Sequence, residues 1–299
     1  MNKRESLNEL SNLLYNISGI RFSYDEEDAA RVSEEKILEI MTRLKSRLSA
    51  SEIMNQYLSG YISSEEAKSL LLEDHHEIGD KSDIYLLSFD DDYDSASISV
   101  VKELIDERTV IVKVDKKAMF IICPKDRETG FSEYESFAAS LIDTLNTEAL
   151  QKVRICFDRT TDSFEEIPMI ARHIAQGFRI GMIFDPTVSV ISYHDLGISK
   201  LIYNLPEKVC RDFLNDSLPK MDLKKIDPET RHIVDTYFDS GLNIAEASRI
   251  LYMHRNTLVY RLDKFSNENG VDIRSFDGAV LCKVGMMISD YLKFSKGRQ

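Results

Sequence analysis

The residues best suited to chemistry lie close together near the C-terminus: His254, Arg255, Asn256, Thr257, Tyr260, Arg261 and Lys264. An asparagine can pair bidentately with adenine and an arginine with guanine, while flanking Arg or Lys side chains neutralise phosphates. Such chemistry needs the residues on one exposed helical face. A helix from about His254 to Asn267 meets that need at about 100° per residue. Leu258, Leu262 and Phe265 fall together and must pack inward. Asn256, Tyr260 and Asp263 fall opposite them, with Thr257 and Lys264 alongside and Arg255 and Arg261 on the two flanks. This face suits a major groove. A solvated face of an ordinary helical bundle can have the same composition, and composition alone does not separate the two.

The flanking sequence supplies elements that could position such a helix. Asp227 can cap a helix whose first residue is Pro228, where the missing N–H costs nothing. Ile233, Val234, Tyr237 and Phe238 give that helix a core face, and Gly241 ends it in the left-handed conformation. Asn243 with Glu246 resembles a capping box and opens a second helix. Ile244, Ala247, Ser248 and Leu251 follow at core spacing, with small residues where two helices must approach. Leu251-Tyr252-Met253 is then the tight connection, and Gly270 lies just past the third helix. A final helix, Phe276 to Leu292, carries Val280, Leu281, Val284, Met287, Ile288 and Tyr291 as a core stripe open to sharing with a second subunit.

Upstream the first third reads as helix, with Leu7, Leu10, Leu14 and Ile17 on one stripe and Ile37, Met41, Leu44 and Leu48 on another. The second stripe fits equally packing within the chain and a short dimer seam. From Ile84 the pattern changes to strands: 84–89, 109–114, 118–123, 152–157 and 188–193. The second and third are joined by the turn Asp115-Lys116-Lys117, and helices are expected at 134–145 and 164–178. Leu201 to Leu218 bridges to the last domain. The expected fold class is α+β. A helical segment (1–80) precedes a central α/β sandwich (81–205) and an all-α domain (206–299).

Composition fits a folded soluble chain, 43% hydrophobic and 30% charged, with no run near the roughly 18 apolar residues of a membrane span. The opening Met1-Asn2-Lys3-Arg4-Glu5 is too polar for a signal peptide. Cys123, Cys156, Cys210 and Cys282 show no metal spacing and read as reduced structural thiols of a cytoplasmic protein. The formal charge of −13 argues against nucleic acid over the molecule as a whole. Acids crowd 25–28, 73–83 and 90–94, whereas Arg249, Arg255, Arg261 and Lys264 face one acid, Asp263. An acidic body with one basic element suits a module that touches DNA locally and binds weakly as a monomer.

The run Met253-His254-Arg255-Asn256-Thr257-Leu258-Val259-Tyr260-Arg261-Leu262-Asp263-Lys264-Phe265 resembles the C-terminal helix-turn-helix signature of the PucR/CdaR family, the sugar-diacid and purine-catabolism regulators. Tyr193-His194-Asp195-Leu196-Gly197-Ile198 resembles the end of that family's central domain, so the likeness covers roughly the C-terminal two-thirds. Tyr252 stands where many helix-turn-helix proteins have a turn glycine, and an aromatic is usual there in this family. The resemblance implies a cytoplasmic, effector-responsive regulator that binds double-stranded DNA as a homodimer or larger homo-oligomer and activates a catabolic operon. Its effector is unknown. It also implies that the central domain is a degenerate relative of the GGDEF domains of diguanylate cyclases. The segment before Ile84 is too short for the full-size sensory domain of many members, so their effector site is not carried over.

Other chemistries find less support. An active cyclase hairpin needs glycines and metal-binding acids, whereas this one reads Val114-Asp115-Lys116-Lys117-Ala118-Met119. Two-metal phosphoryl chemistry wants clustered carboxylates, so no enzymatic activity, cofactor or metal is expected. Asp74-His75-His76 lacks the partner motifs of a metallophosphoesterase. Asp90-Asp91-Asp92-Tyr93-Asp94 lacks the glycine and distal glutamate of a calcium loop and reads as solvated. His173 and His194 are isolated and read as structural. The alternative to a regulator is a nucleotide-binding, cyclase-like signalling protein whose C-terminal helices mediate assembly only.

Overall fold

The computed structural model describes residues 3–18, 23, 32–45, 48–221 and 225–296. The acidic run 25–28 lies outside them. The chain divides into two compact units, one within Met1–Gly181 and Thr187–Leu196, the other within Met182–Pro186 and Gly197–Gln299.

In the first unit the helices α1 (Lys3–Ser18), α2 (Glu34–Lys45), α3 (Ala50–Leu58) and α4 (Ser64–Glu73) precede the sheet. Ile37 and Met41 of α2 are buried against Leu7 and Leu10 of α1, while Leu44 and Leu48 pack into the core beside the sheet. The second stripe is thus split between two intramolecular contacts, and Leu48 lies past the end of α2. A dimer seam along Ile37–Leu48 is not available. The starts of α3 and α4 follow from caps: Ser49 and Glu52 form a reciprocal capping box, and Ser63 accepts from the Glu66 N–H.

The sheet consists of β1 (Ser82–Phe89), β2 (Val110–Lys113), β3 (Ala118–Pro124), β4 (Val153–Phe157) and β5 (Val190–Ser192). Their spatial order is β2-β3-β1-β4-β5, antiparallel except for the β4–β5 pair. β1 is central and apolar on both faces because both are covered. Ile84 and Leu86 face the layer containing α3, α4 and α7 (Ile167–Phe184). Tyr85, Leu87 and Phe89 face α5 (Ser95–Leu104) and α6 (Phe131–Glu148). The parallel β4–β5 pair requires a crossover, which α7 supplies. α7 approaches closely because Gly177 and Gly181 face the strands. A Cβ on Gly181 would stand 2.6 Å from Ile191 Cδ1, and one on Gly177 would stand 2.9 Å from Tyr193 Cδ2.

The polar segments with tempting chemistry serve local structure. Asp74 accepts from the Ala50 N–H at 2.8 Å, and His76 Nδ1 lies 2.9 Å from the Asp74 carbonyl. The acidic run 90–94 is more engaged than a solvated loop: Asp94 caps α5 and Asp90 pairs with Arg154 at 2.7 Å. In the β2–β3 hairpin Asp115 accepts from the Lys117 N–H at 2.7 Å, and Lys117 Nζ reaches the Asp90 carbonyl. His173 stacks on Tyr193 and lies 3.2 Å from Asp158, as a structural histidine would. His194 is exposed at the start of a short 3-10 turn. Among the described residues no helix is long and apolar enough to cross a membrane.

The second unit is helical: α8 (Gly197–Tyr203), α9 (Glu207–Ser217), α10 (Pro228–Asp239), α11 (Ile244–Ile250), α12 (Arg255–Asn269) and α13 (Phe276–Lys296). α13 serves two cores, presenting Cys282 and Met286 to the helices around α12, and Met287, Ile288 and Leu292 to α8 and α9. The expected single stripe is therefore two, and Val280, placed in it by sequence, is 46% exposed. All four cysteines are free and buried. Burial pushes the Cys123 thiol up to about 11 and the Cys282 thiol up to about 12, which keeps both protonated and unreactive at neutral pH.

Candidate nucleic-acid interface

The candidate interface is built on three short helices whose ends are all tied by side chains or turns. Asp227 accepts the Thr230 N–H at 2.9 Å, and Pro228 follows at the first helical position. The bond to Thr230 holds the Asp227 carboxyl below the usual carboxylate range. At the far end Gly241 donates to the Phe238 carbonyl and Leu242 to the Tyr237 carbonyl. This paired closure needs a left-handed residue in its middle, and Gly241 adopts φ +62°. Asn243 then accepts from both Ala245 and Glu246 N–H groups. Glu246 is drawn to Arg249, so the anticipated capping box has only its asparagine half.

α11 closes in the same way as α10, with one difference. Tyr252 donates to the Arg249 carbonyl and Met253 to the Ser248 carbonyl. Here the left-handed position is filled by tyrosine, at φ +50°. That conformation costs an L-residue roughly 1–2 kcal/mol relative to its right-handed form. Ala247 and Ser248, small and buried, let α11 pack closely in the core it shares with α12. His254 caps α12 through Nδ1, which accepts the Asn256 N–H at 3.3 Å. Gly270, at φ +68°, ends it.

The faces of α12 divide as the periodicity requires. Leu258, Leu262 and Phe265 are buried with Ile233, Val234 and Tyr237. His254, Arg255, Asn256, Thr257, Tyr260 and Lys264 are exposed, with Tyr260 at 69%. Arg261 is half-buried and paired with Glu229 of α10. Asp263 is held by Arg274 at 3.2 Å, and Lys264 has only a loose contact with Glu268 at 3.8 Å. Arg255 has no hydrogen bond or ion pair among the described residues. The local basic surplus seen in sequence is therefore partly neutralised by Glu229, Glu246 and Glu268, which lie outside the basic run or come from another helix. Sequence reasoning missed Glu229 because its contact spans 32 positions. Tyr252, read from sequence as a turn residue where a glycine is common, was given no part in the binding face, yet it is 98% exposed.

One comparison with known proteins bears on the same segment. Residues 230–288 match the family model of the PucR C-terminal helix-turn-helix domain. Two curated proteins of Bacillus subtilis (strain 168) are similar to the chain. The uncharacterized protein YxkF is 38% identical over 53 residues, 18% of this chain and 18% of that protein. The purine catabolism regulatory protein is 26% identical over 100 residues, 33% of this chain and 19% of that protein. The chain thus spans under a fifth of the length of either relative. Among solved structures, a regulator of polyketide synthase expression from Bifidobacterium adolescentis aligns over 96% of this chain and 98% of its own, at 13% identity and a TM-score of 0.37. Residues 230–288, which run from within α10 through α12 into most of α13, are the part of the chain that is similar to the PucR C-terminal helix-turn-helix domain.

Proposed function

We propose that the chain is a non-enzymatic transcription regulator that reads double-stranded DNA with α12. It works in the cytoplasm as a homodimer or larger homo-oligomer, and it activates a catabolic operon in response to a small molecule. The observation that carries this reading is the first two turns of α12. Arg255, Asn256, Thr257 and Tyr260 stand exposed there, on a helix seated by three fully buried side chains and opened by the His254 cap. The start of a recognition helix is where base edges are usually met. Lys264 and Arg261 lie farther along and serve the phosphates.

The central residues 81–205 are read as a non-catalytic relative of GGDEF domains. Their hairpin has Lys116 and Lys117 where metal-binding acids would be needed, and Asp115 is engaged with the hairpin backbone. This favours a regulator over a cyclase-like enzyme. The test is a mobility shift with the full chain on duplex DNA from upstream of its own gene. Saturable binding that survives excess unrelated duplex supports the reading. Turnover of a nucleoside triphosphate with magnesium, abolished by a change in the hairpin, would replace it.

A further inference from the structure

Tyr252 is the most exposed of the large hydrophobic residues described, and the fold gives its ring no partner. Its side chain is 98% exposed, and its backbone is held at φ +50°. Glycine closes helices in this way at Gly60, Gly241 and Gly270, while the exposed His75 and Leu150 also close helices in the left-handed conformation. Leu242, the next residue after one of those glycines, is also left-handed, but it packs against the core of its unit. Tyr252 has no comparable packing to offset its conformation. Glycine would suit the turn better, so the fold does not account for an aromatic there.

The position gives it a use. Tyr252 lies three residues before Arg255, so its Cα is within about 11 Å of the first residue of α12. The major groove is about 12 Å wide and is rimmed by phosphates. With the first turn of α12 in the groove, a side chain at that reach meets the rim and not the floor. A phenol there can donate its O–H to a phosphate oxygen and lay its ring against the sugar. We propose that Tyr252 is a DNA-backbone contact that anchors the start of α12 through an uncharged hydrogen bond. The proposal rests on the DNA-binding reading above and adds a residue to it. Because the contact carries no charge, it releases no counterion. Because it touches phosphate and sugar, it is blind to sequence.

Fluorescence anisotropy of the full chain on labelled duplex DNA, with thermal unfolding in parallel, tests this. Tyr252→Gly should weaken binding about tenfold on specific and random duplex alike. It should leave the slope of log affinity against log salt unchanged, with a thermal midpoint at or above the native one. Tyr252→Phe should lose part of that affinity and keep the fold, which covers the case of a poorly folded glycine variant. Leu150→Gly is the matched control. Leu150 is another exposed left-handed residue at a helix end, in the first unit, and its exchange should stabilise the chain without changing DNA binding. Native binding by folded Tyr252→Gly and Tyr252→Phe would overturn the inference alone. So would lost binding that tracks a change of oligomeric state by light scattering, since Tyr252 would then be a subunit contact. A native chain that binds no duplex would overturn the inference together with the reading beneath it.

Discussion

Asn256 and Lys264 stand about two turns apart on one helix and should fail in different ways. Asn256→Ala removes a side chain able to pair bidentately with adenine, and should cost about 1–3 kcal/mol on the specific site and little on random DNA. Lys264→Ala should weaken both DNAs similarly and lower the salt slope by about one phosphate contact. Its loose contact with Glu268, between two exposed side chains, competes little for that charge. Leu258→Ala is the control, because a fully buried side chain in the shared core should cost about 2–5 kcal/mol of stability instead. Equal losses for Asn256→Ala on both DNAs, with the fold intact, would mean that another face docks. Arg261 behaves differently again, since Glu229 already holds it. Glu229→Gln should free the guanidinium, raise DNA affinity and steepen the salt slope. An unchanged salt dependence would mean that Arg261 never reaches a phosphate.

At the scale of the element, helix ends decide how firmly the reading helix is presented. Asp227 starts α10 through a hydrogen bond that favours its charged form, so its folded pKa lies below the unfolded value near 3.8. The sign follows directly: the stabilisation is present above the unfolded pKa and is lost as pH falls through the lower folded value. Thermal unfolding measured below about pH 4 should show this loss, and Asp227→Asn, which caps without charge, should remove it. An identical acid profile for both proteins would remove Asp227 from the account. The same physics explains what could be read from sequence. The faces of α12, the Gly241 closure and the five strands were legible because each rests on a local period or a turn residue. α5 was not, because Ser95-Ala96-Ser97-Ile98-Ser99-Val100-Val101 is poor in helix formers. It is held by the Asp94 cap and by packing of Val100 and Val101 on the sheet. The capping signals at Ser49–Glu52 and Ser63–Glu66 were there to be read and would have divided the N-terminal helices. The split of the Ile37–Leu48 stripe was not legible, because it depends on which distant surfaces those side chains meet.

For the whole molecule the governing fact is a charge of −13 around one small reading module. Such a body repels DNA, and the module has few cations to offset this, since Arg261, Arg249 and Lys264 all stand beside acids of the same unit. One module should therefore bind weakly and lose affinity steeply with salt. Two modules on one duplex would sum their contacts, provided the symmetry of the protein matches that of the site. The expected arrangement is two chains on half-sites about 10–10.5 bp apart, centre to centre, or a multiple of that spacing. The stripe Ile37–Leu48 packs within the first unit and is not available for a contact between chains. Most of the α13 stripe is likewise used within the second unit. Titration of the full chain on its operator should saturate at two chains per duplex. Inserting about 5 bp between the half-sites turns one of them to the far side of the helix and should reduce affinity to that of a single half-site. Inserting about 10 bp restores the facing and should recover much of it. Light scattering that finds a monomer at micromolar concentration, both free and on operator DNA, would show that a single α12 suffices, and the weight placed on charge would then be wrong.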